Sequence, residues 1–165
     1  LINPGRPCHQ MLGVFSSSYV SKLANCLEAL DLRRGLVVHG KLPDQGCLDE
    51  LSCTGINVVS GVGELSEVQG EWAPEDFGLE RHPRSDLAGG DVSDNLLLLD
   101  ALFAGDAPSG LLDTVCLNAG TALWIVERAE DVRDGIAIAK DLLRGGRARS
   151  WLNRAKAFYA EARNA

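Results

Sequence analysis

The chain has 165 residues, 45% of them apolar and only 5% aromatic, enough for one domain with a buried core. Its formal net charge of −7 speaks against nucleic acid or an anionic membrane as main partner, since both need a basic patch. An anionic substrate would need a metal ion or a few well-placed Arg or Lys side chains.

In chain order, residues 1–9 hold two prolines and a glycine and read as extended or loop. Residues 10–15 are an apolar run of strand length, and Ser16, Ser17 and Ser18 offer N-cap hydroxyls. Across 19–30, Tyr19, Val20, Leu23, Cys26, Leu27 and Leu30 recur at helical spacing, which predicts an amphipathic helix with Cys26 in the core. The run Leu36-Val37-Val38, ending at His39-Gly40, is a second strand. Strand, helix and strand with short joins predict a parallel, right-handed βαβ unit. A polar loop follows, carrying Asp49 and Glu50 between Leu48 and Leu51. Residues 56–60 read as a strand, 61–63 as a turn and 64–70 as a further strand paired by hairpin. The Pro-rich stretch 72–84 reads as an irregular excursion, and 86–91 as a turn around Gly89 and Gly90.

The second half is helical. A helix over 94–103 contains the run 96–99, whose four leucines predict burial on most faces. Within 111–126, the longest apolar segment, 114–117 is ambiguous between strand and helix, while 119–128 reads as helix. Residues 131–143 predict a helix with Asp131 at its start, Arg144 at its end and Gly145-Gly146 as its stop. The last helix, 147–162, carries Arg147, Arg149, Arg154 and Lys156 as a solvated face. These elements predict one α/β domain over residues 1–165, a sheet with a helical layer.

A buried strand emptying into a loop of carboxylates is how α/β proteins build sites at strand ends. Adjacent Asp49 and Glu50 repel one another unless solvated or bridged by a cation, and Mg²⁺ commonly uses one or two carboxylates plus substrate phosphates. By residue type alone, a solvated acidic loop is the commoner reading and a metal site the sharper one. His39 reads as satisfying a backbone group rather than a substrate, and His9 and His82 show no partner pattern. Cys116 joins Cys26 as a small core residue. Cys47 and Cys53 are a weak zinc pair, and otherwise the five cysteines read as free thiols in a reducing cytoplasm. Gly61 and Gly63 lack the third glycine of a phosphate loop. Gly89-Gly90-Asp91 reads as a capping turn in preference to an anion site, and Asn118 as a packing residue that needs partners. No stretch reads as a signal peptide or as long and apolar enough to span a bilayer.

The order of segments resembles the C-terminal half of the anthranilate phosphoribosyltransferase family. The matching pieces are Leu1-Ile2-Asn3-Pro4, Gln10 with Gly13-Val14-Phe15, Val37-Val38-His39-Gly40, Leu48-Asp49-Glu50-Leu51-Ser52, Pro74-Glu75-Asp76-Phe77-Gly78, Asp86-Leu87 with Gly89-Gly90-Asp91 and Asn95, Leu117-Asn118-Ala119 and the stretch 145–148. They keep family order and spacing along nearly the whole chain. The resemblance implies a partial nucleoside-phosphorylase/phosphoribosyltransferase-type α/β domain. It implies transfer of phosphoribosyl from phosphoribosyl pyrophosphate to anthranilate in tryptophan biosynthesis, with Asp49 and Glu50 as Mg²⁺ ligands.

Two departures accompany it. Cys47 stands where the family has glycine, which would strain the loop if that position needed a positive φ. The family's Gly-rich pyrophosphate loop, its Lys-His-Gly-Asn segment, its anthranilate-contacting Arg and its N-terminal helical domain would all precede Leu1. The expectation is therefore an N-terminally truncated chain, inactive alone, whose partners are the missing half and, at full length, a second copy. A pyrimidine nucleoside phosphorylase, a non-catalytic nucleic-acid-binding relative and an inactive fragment are the competing readings. The motif at 48–52 speaks against the first, and the acidic pair and the charge speak against the second.

Overall fold

The computed structural model describes residues 4–44 and 46–162; Leu1, Ile2 and Asn3 of the family-like opening lie outside them. Strand β1 (His9–Gly13), helix α1 (Val20–Glu28) and strand β2 (Arg34–Lys41) form the expected unit, with β1 parallel to β2 and Gly13 opposite Val38. Strand β3 is a two-residue piece (Cys47–Leu48), antiparallel to the end of β2, with Gly40 opposite Leu48. Strand β4 (Ile56–Gly63) runs antiparallel along all of β2, and β5 (Gln69–Trp72) pairs with β4. The sheet order is β1-β2-β4-β5. Because β4 fills one edge of β2 from end to end, β1 and β3 must share the other edge.

Successive side chains of a strand point to opposite faces, so the central strand β2 feeds two cores. Val37, with Val14, Val62 and the α1 residues Val20, Ala24 and Leu27, forms one core. Leu36 and Val38 face the other, with Leu51, Cys53, Val59, Cys116, Leu117, Ile125 and Ile136. That second face is covered by α3 (Ser109–Ile125) and α4 (Val132–Arg144). The two helices touch backbone to backbone. A methyl group on Gly120 would stand 2.4 Å from Ile136 N, and one on Gly135 would stand 2.2 Å from Gly120 O. Helices α2 (Val92–Ala104) and α5 (Arg147–Ala162) flank this pair. No helix among the described residues is long and apolar enough to cross a membrane.

Several local expectations need correction. Residues 61–63 belong to β4, and the turn falls after Gly63. Gly61 looks like a turn residue but serves a close approach, since a side chain there would meet Leu65 O at 1.7 Å. The serines do not cap α1. Ser17–Tyr19 form a 3₁₀ turn, and the Ser16 hydroxyl bonds that of Ser18 at 3.0 Å instead. Cys26 is exposed, because α1 buries the stripe Val20, Ala24 and Leu27. In α2 only Leu102 is buried, whereas Leu96 and Leu97 are 55% and 69% exposed. Periodicity shows which faces are apolar, not whether anything covers them. The ambiguous 114–117 lies within the single helix α3.

Candidate functional site

Asp49 and Glu50 follow β3 directly, at the point where β1 ends on the same edge of β2. Both are solvent-exposed. Their contact with β1 is tight: a methyl group on Gly13 would lie 1.4 Å from Asp49 O. Beyond Glu50 the chain dives inward, and residues 51–54 are all buried. They have no regular structure, so their peptide groups must be paired from outside any helix or strand ladder.

They are. Leu51 N donates to Asn118 Oδ1 at 3.2 Å, and Asn118 Nδ2 donates to Leu51 O at 2.7 Å. Asn57 on β4 does the same for Ser52, with Ser52 N to Oδ1 at 2.8 Å and Nδ2 to Ser52 O at 3.0 Å. Cys53 N donates to Thr114 Oγ1 at 3.2 Å, and Cys53 O accepts from His82 N at 2.8 Å. The Ser52 and Thr54 hydroxyls bond each other, and Ser52 Oγ accepts from Thr54 N at 3.0 Å. Two exposed acids thus stand on a fixed stalk.

The Glu50 carboxyl is held above its ordinary range, first by loss of hydration and second by the charge of Asp49. The residue is exposed as a whole, yet its carboxyl lies close enough to the protein to lose part of its water. A cation would relieve both effects. Among the described residues no three His, Cys, Asp or Glu side chains gather as a metal-binding group. Two carboxylates alone leave the remaining ligand positions to water and phosphate, an arrangement that hard divalent cations accept.

The other candidates resolve into structural roles. His39 is buried, with Nδ1 2.8 Å from Val14 O, the backbone role expected of it. Cys47 is exposed and Cys53 buried, so the zinc pair does not form. Burial pushes the thiols of Cys53 and Cys116 up to about 11. Cys47 lies in β3 and is not among the positive-φ residues, so it carries no strain. Gly61 and Gly63 are strand residues, not a phosphate loop. Asp91 caps α2 by accepting from Asp94 N at 2.9 Å, and Asn95 Oδ1 accepts from Gly90 N at 3.1 Å. Arg149 pairs with Asp100 at 2.9 Å.

Two features escaped the sequence. Asn118 holds the stalk of the acidic pair rather than filling space. His82 Nε2 lies 3.0 Å from Asp113 Oδ2, whose other oxygen meets Lys140 Nζ at 2.8 Å. No spacing signal could have joined these residues, because their partners lie in distant segments.

The sequence profile described as "Glycosyl transferase family, a/b domain" matches residues 1–149. An anthranilate phosphoribosyltransferase of Rubrobacter xylanophilus is 37% identical over 93% of this chain and 44% of its own length. One of Chloroflexus aggregans is 41% identical with the same coverage. The crystal structure of anthranilate phosphoribosyltransferase from Thermus thermophilus superposes with a TM-score of 0.78 at 36% identity, covering 88% of this chain and 41% of that one. The Saccharomyces cerevisiae enzyme in complex with PRPP and Mg gives 0.68 at 22% identity, a likeness of fold, covering 88% of this chain and 41% of that one. The chain spans less than half the length of these relatives.

Proposed function

The chain belongs to the glycosyl transferase family through its α/β domain, and from that premise we propose that it is the metal-binding part of an anthranilate phosphoribosyltransferase. The reaction moves a phosphoribosyl group from phosphoribosyl pyrophosphate to the amine of anthranilate, forming the C–N bond and releasing pyrophosphate, a step of tryptophan biosynthesis. The observation that carries the reading is the acidic pair, exposed at a strand end, on a stalk whose backbone is tied down by Asn118, Asn57 and Thr114.

Asp49 and Glu50 would hold Mg²⁺ through carboxylate oxygens. When bound, the ion neutralises charge on the departing diphosphate. The chain's own part is to present two carboxylates in a fixed direction, so that little ordering remains to be done on binding. It supplies no group that we assign to proton transfer. The donors for the diphosphate and the contacts to anthranilate come, in this reading, from polypeptide outside these residues, consistent with relatives more than twice as long. We also place the protein in the cytoplasm, where its five free thiols stay reduced.

The test is co-expression with the N-terminal half of a relative, following loss of anthranilate fluorescence with phosphoribosyl pyrophosphate and Mg²⁺. Turnover that needs both halves and disappears in Asp49→Asn/Glu50→Gln supports the assignment. Undiminished turnover in that variant refutes it.

A further inference from the structure

Residues 51–54 are buried without regular structure, and what holds them decides where the two preceding carboxylates point. Three bonds converge on Asn118. Its Oδ1 accepts from Leu51 N at 3.2 Å, and its Nδ2 donates to Leu51 O at 2.7 Å and to Thr114 O at 2.9 Å. The amide orientation follows from these partners, since one end faces an N–H and the other faces two carbonyls. Thr114 lies one turn earlier on the same face of α3 and takes Cys53 N, so the helix grips the stalk at two successive points.

We propose that Asn118 is a positioning residue for the acidic pair. By closing a two-bond ring on Leu51, it fixes the peptide that follows Glu50 and so the direction in which both carboxylates meet a divalent cation. This rests on the reading of Asp49 and Glu50 as metal ligands. The Leu51 side chain is buried among apolar neighbours, which fix its depth but not the rotation of its peptide group. Partners bonded directly to metal ligands commonly change metal affinity by about 10- to 100-fold when removed, and Asn118, which holds the peptide behind the ligands, is placed at the low end of that range.

The experiment titrates Mn²⁺ into the full chain, with and without pyrophosphate, by electron paramagnetic resonance of the free ion, and records urea unfolding in parallel. Asn118→Ala is expected to weaken Mn²⁺ binding about tenfold. Thr121→Ala, which removes a buried hydroxyl bonded to Leu117 O on the same helix, is the control. It is expected to lower stability through the lost contacts of a fully buried side chain and to leave Mn²⁺ affinity at the parent value. Asn118→Ser, which leaves a small polar group in place, carries the same comparison if Asn118→Ala does not fold. Asn118 variants that lose stability yet keep parental Mn²⁺ affinity overturn the positioning role, while loss of binding in Asp49→Asn/Glu50→Gln keeps the metal reading intact. Mn²⁺ binding unchanged in that double variant overturns the metal reading itself, and the positioning role with it.

Discussion

Replacing Gly13 by Ala isolates the contact on which the acidic pair depends. The added carbon would lie 1.4 Å from Asp49 O and 2.5 Å from Asp49 C, where ordinary contact begins at 3.4 Å, so one side must retreat by about 2 Å. Gly13 cannot, because β1 is paired with the buried centre of β2. The retreat therefore falls on the loop. It breaks the two Leu51–Asn118 bonds and strains the two between Ser52 and Asn57. At about 1 kcal/mol net for each buried bond, the loss is about 2–4 kcal/mol. The sign is diagnostic. Gly13 is not a positive-φ residue, and backbone entropy alone would make Ala stabilising by about 0.4–1 kcal/mol. Urea unfolding followed by tryptophan fluorescence measures the difference. Stability equal to or above that of the parent would refute the packing of Asp49 against β1. The same variant should bind Mn²⁺ more weakly, because the displaced residues include a proposed ligand.

Other consequences concern charge, packing and thiols. Glu50 has a folded pKa above its unfolded value, so its ionised form opposes folding at neutral pH, and that cost is relieved as pH falls toward the carboxylate range. Glu50→Gln should therefore raise the urea midpoint of the metal-free protein at pH 7, and the gain should shrink on acidification. Gly120→Ala drives a carbon to 2.4 Å from Ile136 N and should cost about 1–3 kcal/mol, read as a lower calorimetric Tm. In the native protein at pH 8, a thiol reagent should titrate the three exposed cysteines Cys8, Cys26 and Cys47 quickly. Cys53 and Cys116, buried and held near 11, should react only on unfolding.

What could be read from the residues follows the range of the forces involved. The βαβ unit and the helices α4 and α5 are local patterns, legible from periodicity and from signals such as the Asp131 cap and the Gly145 stop. The end of β4 was not, because Gly61 is there for the nearby Leu65 carbonyl and looks the same as a turn glycine. The exposure of Leu96 and Leu97 is not legible in the residues, because an apolar run implies burial only if a partner surface lies against it. In the candidate site, the acids were visible by type and by resemblance. Their stalk was not: Asn118 and Thr114 stand 67 and 61 residues from the backbone groups they hold. Those bonds exist only once α3 has packed across the sheet.

Because β1 and β3 meet end to end along one edge of β2, the acidic pair sits at a seam whose position is counted out on β2 like marks on a ruler. That sets where the chain tolerates a change of length. The turn closed by the bond from Leu42 N to Gly46 O at 3.0 Å is exposed at Pro43 and Asp44, and an inserted residue there enlarges a surface loop. One residue added between Cys47 and Asp49 would shift the acidic pair by about 3.3 Å relative to β2 and put the stalk behind it out of register with Asn118 and Asn57. Two insertions a few residues apart would thus have opposite fates.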